Sequence, residues 1–216
     1  YKIIPYPNTN EIDIQITVNE GHTGHISRIS FSGFTKKEER AILEMMVTKK
    51  HNFFTSWATG HGKYHEEAVD HDKLLIVNYL QNEGYADAKV NIQTEETSGG
   101  RLAIHIIAVK GDQFRFGNIT ISGNELFEEN TVKKVIPIHE NQLFSPEKIR
   151  DSVQNIKDLY GKDGHIETDV QYTLHLMEDQ PIYNIDFHIE EGEQFRIGLI
   201  RVLGNVSTNN NFRKSK

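Results

Sequence analysis

Three histidines are the best candidates for metal ligands in this chain. His61, His65 and His71 fall within one short stretch, and His61-x3-His65 matches half of a metal-ligand pair. The stretch has no HExxH motif, no third ligand is fixed beside the pair, and Gly60 and Gly62 favour a loop at its start. We therefore expect no metal ion here and interpret the histidines as solvent-exposed. A histidine-rich metal-binding module is an alternative function.

Composition and motif spacing exclude several classes of site. The 216 residues include no cysteine, which excludes disulfides, thiol catalysis and cysteine-based zinc sites. The glycines of FRFGNITISGN, residues 114–124, lack the GxxxxGK[ST] spacing of a phosphate loop. The formal net charge is −7 and the basic residues are scattered, so we expect no nucleic-acid partner. These patterns disfavour thiol chemistry and the binding of nucleotides and nucleic acids, and we expect no enzyme activity, no cofactor and no small-molecule substrate.

A sequence repeat organises the chain. GDQFRFGNITISGN, residues 111–124, shares eight of its fourteen positions with GEQFRIGLIRVLGN, residues 192–205. A weaker copy, GHTGHISRISFSGF, places Gly21, Ile29 and Gly33 ninety positions before their counterparts in the middle copy. A fixed internal period indicates repeated supersecondary units rather than one large domain.

Each repeat predicts the same order of elements. It opens with a strand of alternating apolar residues that ends at a glycine, such as Gly123. A first helix follows, which Thr35 and Glu38 would cap in the first copy, and then a second helix, which Ser145 and Pro146 would start in the second copy. Two strands joined by a polar turn predict an antiparallel hairpin. The predicted fold class is α+β, with tandem small two-layer domains, each β-α-α-β-β with a three-stranded mixed sheet and two helices on one face.

The second helix of each repeat carries an apolar stripe. In the second copy the predicted stripe is Ile149, Val153, Ile156 and Tyr160, at i, i+4, i+7 and i+11. The first copy follows the same pattern, except that Lys73 stands where Val153 predicts an apolar residue. The apolar stripe of the first copy is therefore interrupted at Lys73.

These repeats predict the domain boundaries. Residues 1–23 would be the trailing strands of a preceding repeat, and residues 24–113 a complete repeat with an insertion between its helices. Residues 114–194 would be a second complete repeat, and residues 195–216 the opening strand of a next repeat plus a flexible tail. Because the first residues already have a strand pattern, and no signal peptide or membrane-spanning run of about 20 apolar residues is present, we expect an internal piece of a longer protein.

The motifs resemble POTRA domains of the BamA family, the outer-membrane protein assembly factors of Gram-negative bacteria. The resemblance rests on GDQFRFGNITISGN, on SWATGHGKY (residues 56–64) and on NYLQNEGYADAKV (residues 78–90), and it extends from about Ile12 to Asn205. It implies a periplasmic scaffold ahead of the membrane β-barrel of the parent chain. It also implies unfolded outer-membrane proteins and accessory lipoproteins of the assembly complex as partners. The alternatives are a POTRA segment of a related transporter, TamA-like or of two-partner secretion, and a passive spacer.

In this family the second strand of each unit is the exposed sheet edge, so the resemblance implies that clients bind there by strand addition. The implied client-binding residues are Lys89, Val90, Asn91, Ile92, Gln93 and Thr94 in the first copy, and Asp169, Val170, Gln171, Tyr172 and Thr173 in the second. The alternative is that Lys89 and Asp169 are charges that protect these edges from pairing.

The inserted loop of the first copy carries three aromatic residues, Phe53, Phe54 and Trp57. Exposed aromatic side chains would make this segment a possible partner loop. The alternative is that they close the core of their own small domain, because aromatic side chains are usually buried.

Overall fold

The computed structural model describes residues 2–6, 11–15, 24–50, 63–196 and 198–199. These described residues form eight strands and four helices. The strands are β1 Lys2–Tyr6, β2 Glu11–Gln15, β3 His25–Ser32, β4 Lys89–Thr97, β5 Arg101–Val109, β6 Arg115–Ser122, β7 Asp169–Leu176 and β8 Ile182–Glu190. The helices are α1 Lys36–Met45, α2 Glu66–Asn82, α3 Glu129–Lys133 and α4 Pro146–Lys162.

The element order confirms the predicted α+β class with two β-α-α-β-β repeats. Strands β1 and β2 form a separate antiparallel pair, with Lys2 opposite Gln15. The chain divides into two compact units. One consists of Tyr1–Gly117, Glu140–Glu147 and Leu176–Tyr183, and the other of Asn118–His139, Lys148–His175 and Asn184–Lys216.

The first repeat contains a mixed sheet with the strand order β3-β5-β4. β3 is parallel to β5, with Ile29 opposite Ile104, and β4 is antiparallel to β5, with Ile92 opposite Ile106. Ser98, Gly99 and Gly100 form the turn between β4 and β5, so the predicted hairpin is confirmed. The second repeat has the corresponding strand order, β6-β8-β7, in a second mixed sheet.

Local sequence explains how the helices begin. Thr35 and Glu38 form the predicted capping box at the start of α1, since each side chain bonds the other residue's backbone N–H. α4 begins at Pro146, as Ser145-Pro146 predicts. α3 is much shorter than α1, because its N-cap Glu128 makes no side-chain capping bond and Pro137 disfavours helical backbone at the residue before it.

The stripe predicted for the second helices is partly wrong. The fully buried position in the middle of these helices is Asp72 in α2 and Ser152 in α4, one residue earlier than expected. Lys73 is therefore exposed and Val153 only half-buried. Both buried side chains are hydrogen-bonded: Asp72 accepts the backbone N–H groups of Val47 (2.6 Å) and Thr48 (2.8 Å), and Ser152 donates to a carbonyl of its own helix. These bonds allow polar residues to face the core.

Each repeat has its own buried apolar residues. The first core joins side chains of both helices to the strands through Ile26, Ile42, Met46, Val69, Ile76, Leu80, Ala88, Val90, Ile104, Ile106 and Ala108. In the second compact unit the buried apolar residues are Val132, Ile136, Ile138, Ile149, Ile156, Tyr160, Val170, Ile185, Phe187 and Ile189. The helices thus cover one face of each sheet.

Candidate functional site

Strand β4 forms one border of the first sheet. Its nine residues pair along their whole length with β5, from Lys89 opposite Val109 to Thr97 opposite Arg101. Among the described residues no strand pairs with the other side of β4. The segment Lys89–Thr94 therefore lies on a sheet edge.

Hydrogen bonds of β5 reveal which backbone groups of β4 point outward. The carbonyls of Leu102 and Ile104 face β3, because they accept from Ser27 Oγ (3.0 Å) and Ser30 Oγ (3.4 Å). The carbonyl of Ala108 faces the same way, toward Gly33. Even-numbered residues of β5 thus bond β3, and odd-numbered residues bond β4.

The register converts this alternation into an assignment for β4. Val90, Ile92, Thr94 and Glu96 stand opposite even-numbered residues of β5, so they form the non-hydrogen-bonded pairs of the antiparallel ladder. Their N–H and C=O groups point away from β5, whereas those of Asn91 and Gln93 are used inside the sheet. The sequence did not predict this division, and the hairpin register was the signal that could have given it.

The opposite border of each sheet is partly covered by the chain. Residues just before α2 reach the start of β3, where Lys63 bridges to His25 and the Tyr64 N–H donates to Gly24 (3.0 Å). Residues just before α4 cover the start of β6 through the Phe116 N–H to the carbonyl of Gln142 (2.8 Å). Covering one border in this way leaves β4 and β7 as the longer unpaired edges among the described residues.

The side chains of β4 divide into two kinds. Val90 is buried in the first core, and Ile92 and Thr94 on the same face are half-buried. Lys89, Asn91 and Gln93 on the other face are exposed. The edge therefore combines a partly apolar surface beside the helices with a polar surface on the open side of the sheet.

Strand β7 is the corresponding edge of the second sheet. Val170 is buried, whereas Gln171, Tyr172 and Thr173 are exposed, with Tyr172 48% exposed. The hydrogen bond from Lys157 Nζ to Asp169 (3.0 Å) holds the pKa of that carboxyl below its usual value. Because the ammonium of Lys157 compensates the charge of this carboxylate, Asp169 protects the start of β7 less strongly than an isolated charge would.

The other candidate residues are placed as follows. Phe53, Phe54, Trp57 and His61 lie outside the described residues. His65 is the N-cap of α2 and His71 lies on its exposed surface. Within the described ranges no three side chains of His, Asp or Glu come together in a way that could hold a metal ion. No described helix is long and apolar enough for a membrane span.

Both repeats match one known protein family. The family model POTRA, described as surface antigen variable number repeat, matches residues 24–110 and 114–192. The chain belongs to the POTRA family. The two matched segments contain the two three-stranded sheets, and the predicted family is confirmed.

Two relatives of the POTRA chain illustrate its sequence similarity. "Outer membrane protein assembly factor BamA" of Neisseria meningitidis is 25% identical over 206 residues, covering 92% of this chain and 25% of the relative. The protein of the same name from Neorickettsia risticii is 23% identical over 210 residues, covering 96% of this chain and 28% of the relative. The chain thus spans about a quarter of the length of these curated relatives.

Solved structures agree on the fold. The BamA POTRA3-5 structure of Haemophilus influenzae aligns with a TM-score of 0.61 at 18% identity, covering 90% of this chain and 77% of that one. BamA of Haemophilus ducreyi lacking POTRA domains 1-3 aligns with a TM-score of 0.58 at 17% identity, covering 77% and 29%. At these identities the similarity establishes the fold alone.

Proposed function

We propose that this POTRA chain is a periplasmic scaffold of the outer-membrane β-barrel assembly machinery. The names of its relatives, outer membrane protein assembly factors, support this setting. In this proposal the parent chain carries a membrane β-barrel, accessory lipoproteins of the assembly complex dock on the repeats, and unfolded outer-membrane proteins are the clients. The repeats contribute binding surfaces rather than catalysis.

The uncovered edge of β4 is the observation that carries the proposal. Outward N–H and C=O groups at Val90, Ile92 and Thr94 can pair with an extended segment of almost any sequence, since main-chain hydrogen bonds do not depend on side chains. That tolerance suits a protein that receives many clients. The residues Lys89–Thr94 are thus the proposed main binding edge, and Asp169–Thr173 of β7 is the second.

The two surfaces beside β4 also select a class of client. A strand added to β4 would place alternate side chains next to half-buried Ile92 and Thr94 on one face, and next to exposed Asn91 and Gln93 on the other. Apolar residues suit the first surface and polar residues the second. Strands of transmembrane β-barrels alternate in this way.

A proline at an outward-facing position tests the proposal. Thr94→Pro removes one outward N–H and fills the space beside it, while the bonds to β5 remain, because Thr94 belongs to a non-hydrogen-bonded pair. We expect it to weaken binding of a synthetic barrel-strand peptide at least tenfold by fluorescence anisotropy. Thr94→Ala keeps the N–H and is the matched control, which we expect to bind within threefold of the unaltered chain. If the proline variant is folded by circular dichroism and binds as well as the alanine variant, strand addition at β4 is wrong.

A further inference from the structure

The end of the first repeat forms a socket, made of Asn82, Glu83, Gly84, Ala86, Gln113 and Phe114. Two hydrogen bonds shape it: Phe114 N–H donates to the carbonyl of Gly84 (2.8 Å), and Gln113 Nε2 donates to that of Glu83 (2.9 Å). Gly84 has a φ of +95°, and a Cβ added to it would lie 2.9 Å from Gln113 Cγ and 3.0 Å from the carbonyl oxygen of Phe114. The positive φ and the close approach of Gln113 and Phe114 both require glycine at this position.

Within the first compact unit, this socket receives the residues that start α4. Asn82 Oδ1 accepts from Ser145 Oγ (3.0 Å) and from the Glu147 N–H (3.1 Å), and Asn82 Nδ2 donates to the Glu147 carboxylate (3.2 Å). Phe114 is only 6% exposed, and its ring stacks on Tyr183. One asparagine thus serves as both acceptor and donor to the start of a helix.

The end of the second repeat has the same construction, in the residues Lys162, Asp163, Gly164, Ile166, Gln194 and Phe195. Phe195 N–H donates to the carbonyl of Gly164 (2.8 Å), Gln194 Nε2 donates to that of Asp163 (2.9 Å), and Gly164 has a φ of +94°. Here, however, Phe195 is 43% exposed and Ile166 69% exposed, beside a groove of about 560 Å³. The second socket therefore has the same hydrogen bonds as the first, but the apolar surface that is buried in the first socket is exposed in the second.

We propose that this second socket docks the start of the second helix of a following POTRA repeat, and that it selects a helix start that carries a carboxylate. The selection comes from Lys162, which stands at the position of Asn82. A lysine has three donors and no acceptor, so it cannot accept the serine hydroxyl and backbone N–H that Asn82 holds. Lys162 can bond an acidic side chain near the helix start, where Glu147 stands in α4. The occupant is therefore a repeat of this fold with Asp or Glu in the first turn of that helix.

The proposal is independent of client binding at β4. It rests on the repeated hydrogen bonds and on the greater exposure of Phe195 compared with Phe114. It also rests on the sequence, in which residues 196–216 follow Phe195 directly. The first socket, which binds the residues that start α4, indicates which segment the second socket would bind.

A three-repeat chain tests the docking. It consists of residues 1–195 followed by a second copy of residues 115–199, so that the copy follows Phe195 as the second repeat follows Phe114. Because the protein has no cysteine, Ile166→Cys provides a single thiol in the socket. We expect that thiol to react with a maleimide at least tenfold more slowly in the three-repeat chain than in the original chain. Glu178→Cys, in the exposed β7–β8 turn, is the matched control and should react at similar rates in both.

Either of two results overturns the docking. The first is a labelling rate at position 166 that agrees within twofold between the two chains. The second is exchange of all amides of the appended copy with solvent within seconds, which would show that the copy is unfolded. The same residues fold when they follow the first repeat, so a copy that stays unfolded after Phe195 is not docked on the second socket.

A charge swap tests the selection. Changing the appended copy's glutamate at position 147 to glutamine should raise the labelling rate at position 166 three- to tenfold in the three-repeat chain. In the Lys162→Asn background the same change should have less than a twofold effect, because asparagine can bond the amide and the backbone. Equal effects in the two backgrounds would refute the role given to Lys162.

Discussion

The ion pair between Glu38 and Lys110 provides the sharpest test of how the first repeat is held together. Lys110 Nζ lies 2.6 Å from Glu38 Oε2, and the two side chains are 16% and 12% exposed. The Glu38 carboxylate also accepts the backbone N–H of Thr35 (2.6 Å) at the start of α1. The ammonium of Lys110 lies 5.1 Å from the centre of the Tyr85 ring. The perturbation is Glu38→Gln, which keeps a capping acceptor and removes the charge.

The expected loss follows from the burial of the pair. Hydrogen bonds to charged groups contribute about 1.5–3 kcal/mol, and breaking a fully buried ion pair costs about 3–5 kcal/mol. Because both side chains retain some exposure and the capping bond survives, we expect Glu38→Gln to lower the free energy of unfolding by about 2 kcal/mol at pH 7. The matched control is Glu39→Gln, whose partner Lys36 has an 84% exposed side chain. It should cost less than about 0.5 kcal/mol.

The effect has a defined dependence on pH. Burial opposes ionisation of Glu38, but the hydrogen bonds from Lys110 and Thr35 outweigh it and lower the pKa of the carboxyl below its ordinary 4.5. A lowered pKa in the folded state means that the ion pair contributes fully above pH 4.5 and loses its contribution as the pH falls through the folded-state pKa. The difference between the original chain and Glu38→Gln should therefore be constant from pH 6 to 8 and shrink below pH 4.5.

Native-state hydrogen exchange followed by mass spectrometry tests this prediction, because it measures the protection of amides in each repeat separately. Peptides covering α1 and β5 should lose protection in Glu38→Gln, while peptides covering α4 serve as an internal reference. Equal protection of α1 and β5 in the Glu38→Gln and Glu39→Gln variants would refute the energetic role assigned to this pair. So would a difference that grows as the pH falls below 4.5.

Further stability predictions follow from three local features, at Gly123, Gly161 and Asp72. Gly123 has a φ of +79°, and an added Cβ would collide with the carbonyl of Ile189, so Gly123→Ala should destabilise by about 2–4 kcal/mol in urea unfolding. Gly161 lies in α4, and a Cβ added to it would meet no atom within 4 Å apart from its chain neighbours and the backbone of its own helix. Gly161→Ala should therefore stabilise by about 0.5–1 kcal/mol. Asp72→Asn leaves one of two backbone N–H groups without an acceptor and should lower the free energy of unfolding by about 1–3 kcal/mol. Asp70→Asn, on the exposed face of α2, is the control and should be neutral. Equal melting temperatures for the two variants would contradict the role given to Asp72.

Local features of the fold could be predicted because their causes lie close together in sequence. The Thr35–Glu38 capping box and the start of α4 at Pro146 depend on neighbouring residues and were predicted correctly. The β-α-α-β-β order followed from the repeat and is confirmed. The domain boundaries, including residues 195–216 as the start of a next repeat, stay a prediction.

Features set by distant contacts could not be predicted in the same way. An apolar pattern could not place Asp72 in the core, because the backbone groups that bond it come from a segment 24 and 25 residues earlier. The outward-facing groups of β4 depend on the hairpin register, and the partly covered borders of β3 and β6 depend on segments just before the second helices. The strand orders place β4 and β7 at the borders of their sheets, and the binding of clients there stays a prediction.

Amide exchange along β4 tests the central claim most directly. NMR should be used to follow individual amides of the chain with and without a saturating synthetic peptide from a transmembrane β-strand of an outer-membrane barrel protein. We predict that exchange slows at the outward-facing amides of Val90, Ile92 and Thr94 and stays unchanged at Asn91 and Gln93, which already bond β5. Unchanged exchange at all five amides, despite binding of the peptide, would contradict the account.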